Sequence, residues 1–270
     1  MKIEGKTFVV TGGGNGMGRE LVIRLLDKGA TVAAVDMNEK ALHETVTLAA
    51  ATAGKLSTHP VNITDRTAVF ECLQQIIEIY GHIDGIINNA GIIQPFVKIQ
   101  DLEMDAIEKV MNVNFYGSLH LIQAVLPHLQ QRPEAHIVNV SSMGGFLPVP
   151  GQSVYGASKA AIKLLSEALY AELLSTNIKV SVVFPGAIAT NITANSGVSI
   201  PQASQKNASK FKPMPACLAA KLIIEGIEAN KMRIYVGQDA KFMNLLYRIS
   251  PGFATRFIAK KMKSLLDPAA

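Results

Sequence analysis

Short apolar runs and longer amphipathic runs alternate along the chain. The short runs are rich in β-branched residues and predict buried strands at 8–10, 31–35, 56–61, 83–88, 136–140, 179–184 and 233–236. Between them, apolar residues recur at helical spacing and predict helices around 21–26 and at 39–53, 65–80, 104–129, 156–174 and 215–229. Strands that alternate with helices are typical of a parallel sheet covered by helices on both faces. We therefore predict an α/β fold, a doubly wound, mostly parallel, seven-stranded sheet in a single domain over residues 1–270.

The composition narrows the class of protein. Hydrophobic residues make up 49% of the 270 positions and charged residues 17%, which suits a large buried core. Cys72 and Cys217 are too few for a disulfide framework or a zinc cluster, so we expect reduced thiols and a cytoplasmic location. The six histidines are scattered, and no metal site is predicted. Residues 1–6 are short and polar, unlike a signal peptide, and no apolar run approaches the about 20 residues of a membrane-spanning helix.

Positive charge is concentrated near the C-terminus. Six basic and no acidic residues lie between Lys241 and Lys263, and without these six the net charge of +5 becomes −1. A nucleic-acid-binding protein would carry a broader basic face, so no nucleic-acid partner is predicted. Apolar residues lie on one helical face, with these basic residues interleaved along the sequence, so 239–270 is predicted to be an amphipathic basic extension. We favour packing on its own or a neighbouring subunit, and attachment to an anionic membrane surface is the alternative.

A glycine-rich turn joins the first predicted strand to its helix. Gly12, Gly16 and Gly18 follow the apolar run at 8–10, and Asp36 ends the second strand. Glycines let the backbone approach a pyrophosphate, which then sits on the N–H groups at the start of the helix. Strand, glycine turn, helix, strand and terminal acid together predict a βαβ unit that binds a dinucleotide.

Tyr155 and Lys159 are four residues apart in a predicted helix, so their side chains share one face. A free tyrosine, with a pKa of about 10, is a poor proton donor or acceptor at neutral pH. A neighbouring cation stabilises the phenolate and lowers this pKa, which would make Tyr155 a general acid and base. The alternative is a pair on a solvated helix face.

Several motifs in this order resemble the short-chain dehydrogenase/reductase family: TGGGNGMG at 11–18, NNAG at 88–91, Asn114, Ser142 and YGASK at 155–159. The resemblance covers the chain from the first strand to about residue 190. It implies a single Rossmann-like domain, a nicotinamide cofactor and a homotetramer or homodimer. It also implies that the catalytic set is Ser142, Tyr155, Lys159 and Asn114.

The resemblance gives each member of this set a role. Ser142 would hold the substrate oxygen, Tyr155 would take the proton, and Lys159 would lower the tyrosine pKa and bind the nicotinamide ribose. Asn114 would disturb its helix and hold a water that connects the lysine to solvent, whereas on its own it suggests a polar surface residue. Ser142 is chosen because it precedes Tyr155 by thirteen residues, as in the family pattern. Ser141 is the competing assignment.

The cofactor site is predicted from the glycine turn and the ends of the strands. In the family, 88–91 lies beside the adenosine ribose, 185–190 pairs with the nicotinamide carboxamide, and the position of Asn62 often carries an acid that contacts the adenine. The predicted cofactor-binding residues are Gly12, Asn15, Gly16, Met17, Gly18, Asp36, Asn62, Ile63, Asn89, Ala90, Gly91, Tyr155, Lys159, Pro185, Gly186, Ile188 and Thr190.

Asp36 favours NAD(H) over NADP(H). A carboxylate there accepts hydrogen bonds from ribose hydroxyls and repels a 2′-phosphate. Asn15 and Met37 occupy the positions that would supply a compensating cation, and neither is basic.

We predict a reversible hydride transfer between NAD(H) and a secondary alcohol or ketone. Apolar residues near the expected pocket suggest a lipophilic small-molecule substrate, although core packing explains them equally well: Ile93, Phe96, Phe146, Leu147 and Val149. The alternatives are an NADPH-dependent 3-oxoacyl-type reductase and a non-catalytic dinucleotide sensor on the same fold. The complete catalytic set favours an enzyme.

Residues 187–213 become polar and small after the sixth strand. This composition suits a lid over the substrate. The alternative is a disordered surface insertion.

Overall fold

The computed structural model describes residues 1–49, 55–198 and 213–263. Its main sheet contains seven strands, and every neighbouring pair is parallel. The strands of the described chain are β1 Thr7–Thr11, β2 Thr31–Asp36, β3 Leu56–Pro60, β4 Gly85–Asn88, β5 Ala135–Val140, β6 Ile178–Pro185, β7 Ile188–Ala189, β8 Met214–Pro215 and β9 Arg233–Val236. The order across the main sheet is β3-β2-β1-β4-β5-β6-β9, and β7 pairs with β8 in a separate two-stranded ribbon. The predicted doubly wound, seven-stranded parallel sheet is confirmed.

Helices connect most of these strands. They are α1 Gly16–Asp27, α2 Glu39–Leu48, α3 Arg66–Tyr80, α4 Met104–Met111, α5 Ser118–Leu129, α6 Ser153–Glu172, α7 Ile192–Asn195, α8 Ala216–Glu228, α9 Gln238–Ile249 and α10 Pro251–Lys261. A π-helical segment, Asn112–Gly117, joins α4 to α5, and a 3₁₀ turn, Met143–Gly145, follows β5.

The two faces of the sheet carry separate apolar cores, which explains the continuous apolar runs in the strands. In β1, Phe8 and Val10 face the core formed with α1 and α8, whereas Val9 faces the core formed with α3 and α5. All three side chains are fully buried. Because successive side chains of a strand point to opposite faces, no position of β1 is left for a solvent-facing polar residue.

Two helices differ clearly in extent from the predictions. The helix predicted at 104–129 is interrupted by the π-helical segment Asn112–Gly117, and Gly117 packs so closely on Ile63 that an added Cβ would lie 2.6 Å from the Ile63 Cδ1 atom. Helix α2 ends at Leu48, and the end predicted for it at 53 lies outside the described residues. Residues 199–212 of the predicted lid also lie outside them.

The C-terminal extension forms two helices, α9 and α10, that pack against each other. The break between them falls at Ser250, and Pro251 occupies the first position of α10, where its missing N–H costs no helical hydrogen bond. Within the described residues, no helix is both long and apolar enough to cross a membrane.

Candidate active site

The carboxyl ends of β1, β2, β4, β5 and β6 open into a cleft of about 810 Å³. Parallel sheets of this kind bind ligands at this edge, because the strand order reverses there and separates two helices. Of the predicted site residues, those that line the cleft are Gly12, Asn15, Gly16, Met17, Asp36, Asn62, Ile63, Asn89, Ala90, Gly91, Ser142, Tyr155, Lys159, Pro185, Gly186, Ile188 and Thr190. Gly18 and Asn114 are buried and do not line the cleft.

The glycine turn lines the cleft, and its backbone is tightly packed. Gly12 and Gly16 have φ values of +67° and +52°, which L-residues with side chains rarely adopt. A Cβ on Gly18 would lie 2.0 Å from the carbonyl oxygen of Gly12, so helix α1 reaches its place only with a glycine there. Asn15 caps α1 by accepting the N–H of Gly16 at 2.6 Å. The first turn of α1 carries no acid, so its N-terminal dipole favours a phosphate.

Thr11 joins this turn to the NNAG segment. Its Oγ1 atom accepts the N–H groups of Asn89 and Ala90, each at 3.0 Å, while the Asn89 amide donates to the Thr11 carbonyl at 3.0 Å. Asn89 therefore braces β1 against β4 at the cleft edge. The sequence prediction omitted Thr11 from the site, although it is the first residue of the TGGGNGMG motif.

Asp36 holds its carboxylate at the rim of the cleft. Its Oδ2 atom accepts the N–H of Gly14 and its Oδ1 atom that of Asn38, both at 3.0 Å. The nearby Arg19 is already engaged, because its guanidinium donates to the Gly14 carbonyl and pairs with Glu44 at 2.8 Å. Among the described residues that line the cleft, the basic ones are Lys109 and Lys159.

Asn62 and Ile63, predicted to lie near the adenine, line the cleft after β3. The side-chain oxygen of Asn62 accepts both the N–H and the hydroxyl of Thr64, at 3.1 and 3.0 Å. This local turn fixes Asn62 after β3, with Ile63 almost fully buried beside it.

Ser142 and Tyr155 meet in the cleft. The Ser142 hydroxyl caps the turn Met143–Gly145 by accepting the N–H of Gly144 at 3.0 Å, and it hydrogen-bonds the Tyr155 phenol. Ser141, by contrast, is buried and donates to the backbone carbonyl of Lys159 at 2.7 Å. Of the two serines, the geometry pairs Ser142 with the tyrosine, while Ser141 fastens β5 to helix α6.

Lys159 is a buried neighbour of Tyr155. Its Nζ atom donates to the Val140 carbonyl at 3.0 Å and lies 6.0 Å from the centroid of the Tyr155 ring. Burial lowers the pKa of Lys159 to about 8, because the charged ammonium loses its hydration. The two side chains share one helix face, as the i,i+4 spacing predicts, and the lysine is buried, so the solvated-face alternative is wrong.

The expected lowering of the tyrosine pKa is not found. Burial raises the pKa of Tyr155, and the hydrogen bond from Ser142 only partly opposes this effect. The physical reason is that the phenol lies in a desolvated site, while the lysine ammonium is directed to the carbonyl of Val140.

Asn114 is fully buried within the π-helical segment, so the surface-residue alternative is wrong. Its side chain exchanges two hydrogen bonds of 2.9 Å with the backbone of Ile92 and donates to the Ser158 hydroxyl at 2.9 Å. A Cβ on Gly91 would lie 3.0 Å from the Lys159 ammonium and 3.2 Å from the Asn114 oxygen, so a side chain there would require these two groups to shift by a few tenths of an ångström. Asn114 thus holds the loop after NNAG against helix α6.

Gln94 also belongs to the site, although the sequence gave no reason to select it. This fully buried side chain accepts the backbone N–H groups of Val154 and Tyr155 at 2.8 and 3.0 Å. It caps α6 from a loop more than 50 residues away. The N-cap residue Gln152 itself makes no side-chain cap hydrogen bond. No local sequence pattern reports such a contact.

The apolar residues predicted near the substrate are mostly elsewhere. Of the five, Ile93 lines the cleft. Leu147 is fully buried in a small core with Met243, and Phe146 packs edge-on against Phe184 at 5.6 Å. The core-packing explanation is therefore correct for these two residues.

The described part of the predicted lid crosses the cleft. Asn191, Ile192 and Asn195 line it, and the Ser196 hydroxyl accepts the N–H of Ile93 at 3.0 Å. Residues 187–198 thereby connect the end of β6 to the loop after β4.

A parallel sheet wound on both faces, with a glycine turn after its first strand and a tyrosine–lysine pair beside the central strand ends, defines a Rossmann-type dinucleotide oxidoreductase. The family model for short chain dehydrogenases matches residues 6–199. The chain belongs to the short-chain dehydrogenase/reductase family, whose members act on CH–OH groups.

Two relatives and one solved structure illustrate the range of the family. The chain is 34% identical over 262 residues to a putative oxidoreductase, SadH, of Mycobacterium tuberculosis, covering 95% of each chain. It is 36% identical over 195 residues to the 3-oxoacyl-[acyl-carrier-protein] reductase FabG of Thermotoga maritima, covering 72% of this chain and 78% of that protein. A short chain dehydrogenase/reductase from Burkholderia phymatum, solved in complex with NAD, has the same fold with a TM-score of 0.85, at 24% identity over 94% of this chain and 96% of that one.

Proposed function

We propose that this protein transfers a hydride reversibly between NAD(H) and a secondary alcohol or ketone. The observation that carries the proposal is the meeting of Ser142, Tyr155 and Lys159 at one end of a cleft whose other end is bounded by Asp36. This arrangement gives a proton-handling group and a dinucleotide-sized path in one continuous space.

The residues present fit a dinucleotide. At the glycine turn the backbone itself forms the floor of the cleft, in space that side chains would otherwise fill. The N-terminus of α1 lies beside this turn, and its first helical turn carries no acidic residue. Asp36 would hold the adenosine ribose, Asn89 to Gly91 would flank the sugar, and Pro185 to Thr190 would border the nicotinamide. When bound, the nicotinamide supplies the hydride acceptor or donor.

The protein's own side chains would manage the proton. In the oxidation direction, the Tyr155 oxygen takes the proton of the substrate hydroxyl, and the Ser142 hydroxyl binds and orients the substrate oxygen. Lys159 is mostly protonated at neutral pH with a pKa of about 8, so it supplies a positive charge next to a phenol that must become anionic. Asn114 keeps the Ile92 backbone and helix α6 in register around this group.

NAD(H) is the proposed cofactor because the rim near Asp36 is acidic. A 2′-phosphate would approach the Asp36 carboxylate, and the closest guanidinium, Arg19, is paired with Glu44. Met37, three-quarters exposed, supplies no charge at that position.

The second candidate is an NADPH-dependent reductase of 3-oxoacyl substrates, which the relationship to the Thermotoga maritima enzyme favours. It would use the same proton-handling residues. The rim at Asp36 argues against it. A non-catalytic dinucleotide sensor would have no need for the Ser142–Tyr155 pair, which the chain retains.

Tyr155→Phe tests the proposal. The variant should lose about 10²–10⁴-fold in turnover, the usual contribution of a general acid or base, while NAD binding changes little. Turnover is followed by nicotinamide absorbance with alcohols and ketones of increasing chain length, and binding by calorimetry. Tyr170→Phe is the matched control, because Tyr170 lies on the same helix, does not line the cleft and packs against the core formed with α3 and α5. A fully active Tyr155→Phe variant would refute the assignment.

A further inference from the structure

The helices α9 and α10 form a hairpin whose inner and outer faces differ sharply. On the inner face, Met243 and Ala254 are buried against Leu147, with Leu246 and Ile258 packed around them. This contact fixes the hairpin to the segment that follows the catalytic Ser142. The packing predicted for the C-terminal extension therefore accounts for one face of each helix.

The outer face exposes large apolar side chains. Phe242, Leu245 and Ile249 recur at three- and four-residue spacing on α9 and are 59%, 58% and 73% exposed. Phe253 and Phe257 continue this surface on α10 at 51% and 37% exposure, with their rings stacked at 6.4 Å. These five are a third of the fifteen large apolar residues that are exposed in the described chain, so the outer face is an unusual concentration of apolar surface.

The cations of the hairpin and of the two residues that follow it are also exposed. They are Lys241, Arg248, Arg256, Lys260, Lys261 and Lys263. The Lys261 ammonium lies 5.9 Å from the centroid of the Phe257 ring, so charge and apolar surface meet on α10. The acidic residue of α9, Asp239, hydrogen-bonds within the protein, where its carboxylate accepts the N–H of Ala187 at 2.8 Å.

We propose that the outer face of this hairpin docks on an anionic lipid bilayer. An amphipathic helix with aromatic and aliphatic residues on one side and cations around them lies in the bilayer interface, with its apolar side chains among the acyl chains and its cations at the headgroups. The apolar face and the surrounding six charges match these two layers. The charge complementarity identifies the occupant as a surface of negative charge.

A second copy of the chain fits this face less well. A two-fold interface would bring the same patch of both copies together, and each patch carries six cations without a free acid. Like charges at close range oppose such a contact.

Docking would place the catalytic end of the cleft close to the bilayer. The hairpin contacts the segment after Ser142 through Leu147, and Asp239 ties the start of α9 to Ala187 at the end of β6. A lipophilic alcohol or ketone dissolved in the bilayer would then enter the cleft from the membrane side, a consequence that rests on the proposed function.

The test is co-sedimentation of the full chain with vesicles. Vesicles of phosphatidylcholine alone are compared with vesicles that also contain phosphatidylglycerol, at low and at high salt. The protein should sediment with the anionic vesicles at low salt and be released by salt, because surface charge attraction is screened. Lys260→Glu with Lys261→Glu should weaken binding about fivefold or more for each cation removed.

Leu245→Glu tests whether the apolar side chains take part in docking, and Ile79→Glu adds the same negative charge away from the proposed face. It should abolish binding even at low salt, whereas Ile79→Glu, at an equally exposed position on α3, should leave binding unchanged. Because Leu245 is exposed, the variant should keep its thermal unfolding temperature and its turnover of a short, water-soluble alcohol. Vesicle binding is measured without turnover, so it remains decisive if the proposed reaction is wrong.

Two results would overturn the proposal. One is a lack of binding to anionic vesicles at low salt. The other is a fall in the oligomeric mass of Leu245→Glu, measured by light scattering, without any change in vesicle binding. This second result would assign the face to a neighbouring copy of the chain.

Discussion

The side-chain oxygen of Gln94 accepts the backbone N–H of Tyr155 at 3.0 Å, across 61 residues of sequence. The same atom accepts the N–H of Val154 at 2.8 Å, and the Gln94 amide donates to the Gly151 carbonyl at 3.1 Å. The first turn of a helix has N–H groups without helical partners, and here a distant loop satisfies two of them. The position of the phenol along and around the axis of α6 therefore depends on the loop that follows the NNAG motif.

Gln94→Ala should lower kcat and leave the Michaelis constant for NAD unchanged, because Gln94 positions the tyrosine without lining the cleft. It should also cost about 1–2 kcal/mol of unfolding free energy, as for other lost caps. Steady-state kinetics and urea unfolding measure the two effects. Gln152→Ala is the control, since it removes only the bond from Gln152 to the Gln94 carbonyl. An equal loss of kcat in both variants would attribute the effect to general loosening of the loop.

Ser142→Ala and Ser141→Ala should separate substrate binding from structure. Ser141→Ala loses the bond to the Lys159 carbonyl, and Ser142→Ala loses the bonds to the Gly144 N–H and to the Tyr155 phenol, so each should lose about 1–2 kcal/mol of stability. Only Ser142→Ala should lose about 10²–10³-fold in kcat, as expected for a donor to the reacting oxygen. If Ser141→Ala were the less active of the two at equal folded fraction, the assignment of Ser142 would be wrong.

Asp36→Asn combined with Met37→Arg should change the cofactor preference. The asparagine oxygen can still accept the Gly14 N–H, so the turn is kept while the charge is removed and a cation is added. The ratio of kcat/KM for NADP over NAD should rise at least about tenfold, corresponding to about 1.4 kcal/mol. Glu39→Gln, which removes a different charge from the same cleft, should leave this ratio nearly unchanged. Equal shifts in both variants would contradict a specific role of Asp36.

His136 should make the fold sensitive to acid. Burial, with smaller contributions from the positive charges of the N-terminus and Lys179, lowers the pKa of His136 to about 3. Its Nε2 atom lies 2.8 Å from the Ser181 hydroxyl, and its Nδ1 atom has no hydrogen-bond partner among the described residues. The unfolded chain takes up this proton below the usual pKa of about 6.5, whereas the folded chain does not, so stability falls as the pH drops. Between pH 7 and pH 4 this group alone should remove about 3 kcal/mol.

Urea unfolding at several pH values checks this effect. His136→Gln should flatten the acid dependence of the unfolding free energy, and His43→Gln, at an exposed position, should reproduce the parent profile. Identical acid dependence in the parent and in His136→Gln would show that His136 is not the responsible group.

Some parts of the site were predictable because they depend on local geometry. The glycine turn before α1 follows from the backbone freedom of Gly12 and Gly16 and from the strand and helix on either side of it. The shared face of Tyr155 and Lys159 follows from their spacing of four. The strands of the sheet were recognisable because burial on both faces leaves continuous apolar runs.

Other parts depend on partners that the sequence does not bring together. Asn114 is polar, which on its own suggests a surface position. Only its hydrogen bonds to Ile92 and Ser158 explain its burial. The sequence left open whether Phe146 and Leu147 line the substrate pocket or pack in the core, because an apolar pattern shows that a side chain is buried without showing against which element.

The sequence by itself determined the class of fold, the glycine turn at its first strand and the spacing of the tyrosine and the lysine, since these follow from backbone preferences over a few residues. Only the tertiary structure decided that Ser142 and not Ser141 faces the phenol, that Gln94 caps the helix of Tyr155, and that burial raises the tyrosine pKa. Hydrogen-bond partners and desolvation are set by residues tens of positions apart, and their arrangement exists only once the sheet has assembled.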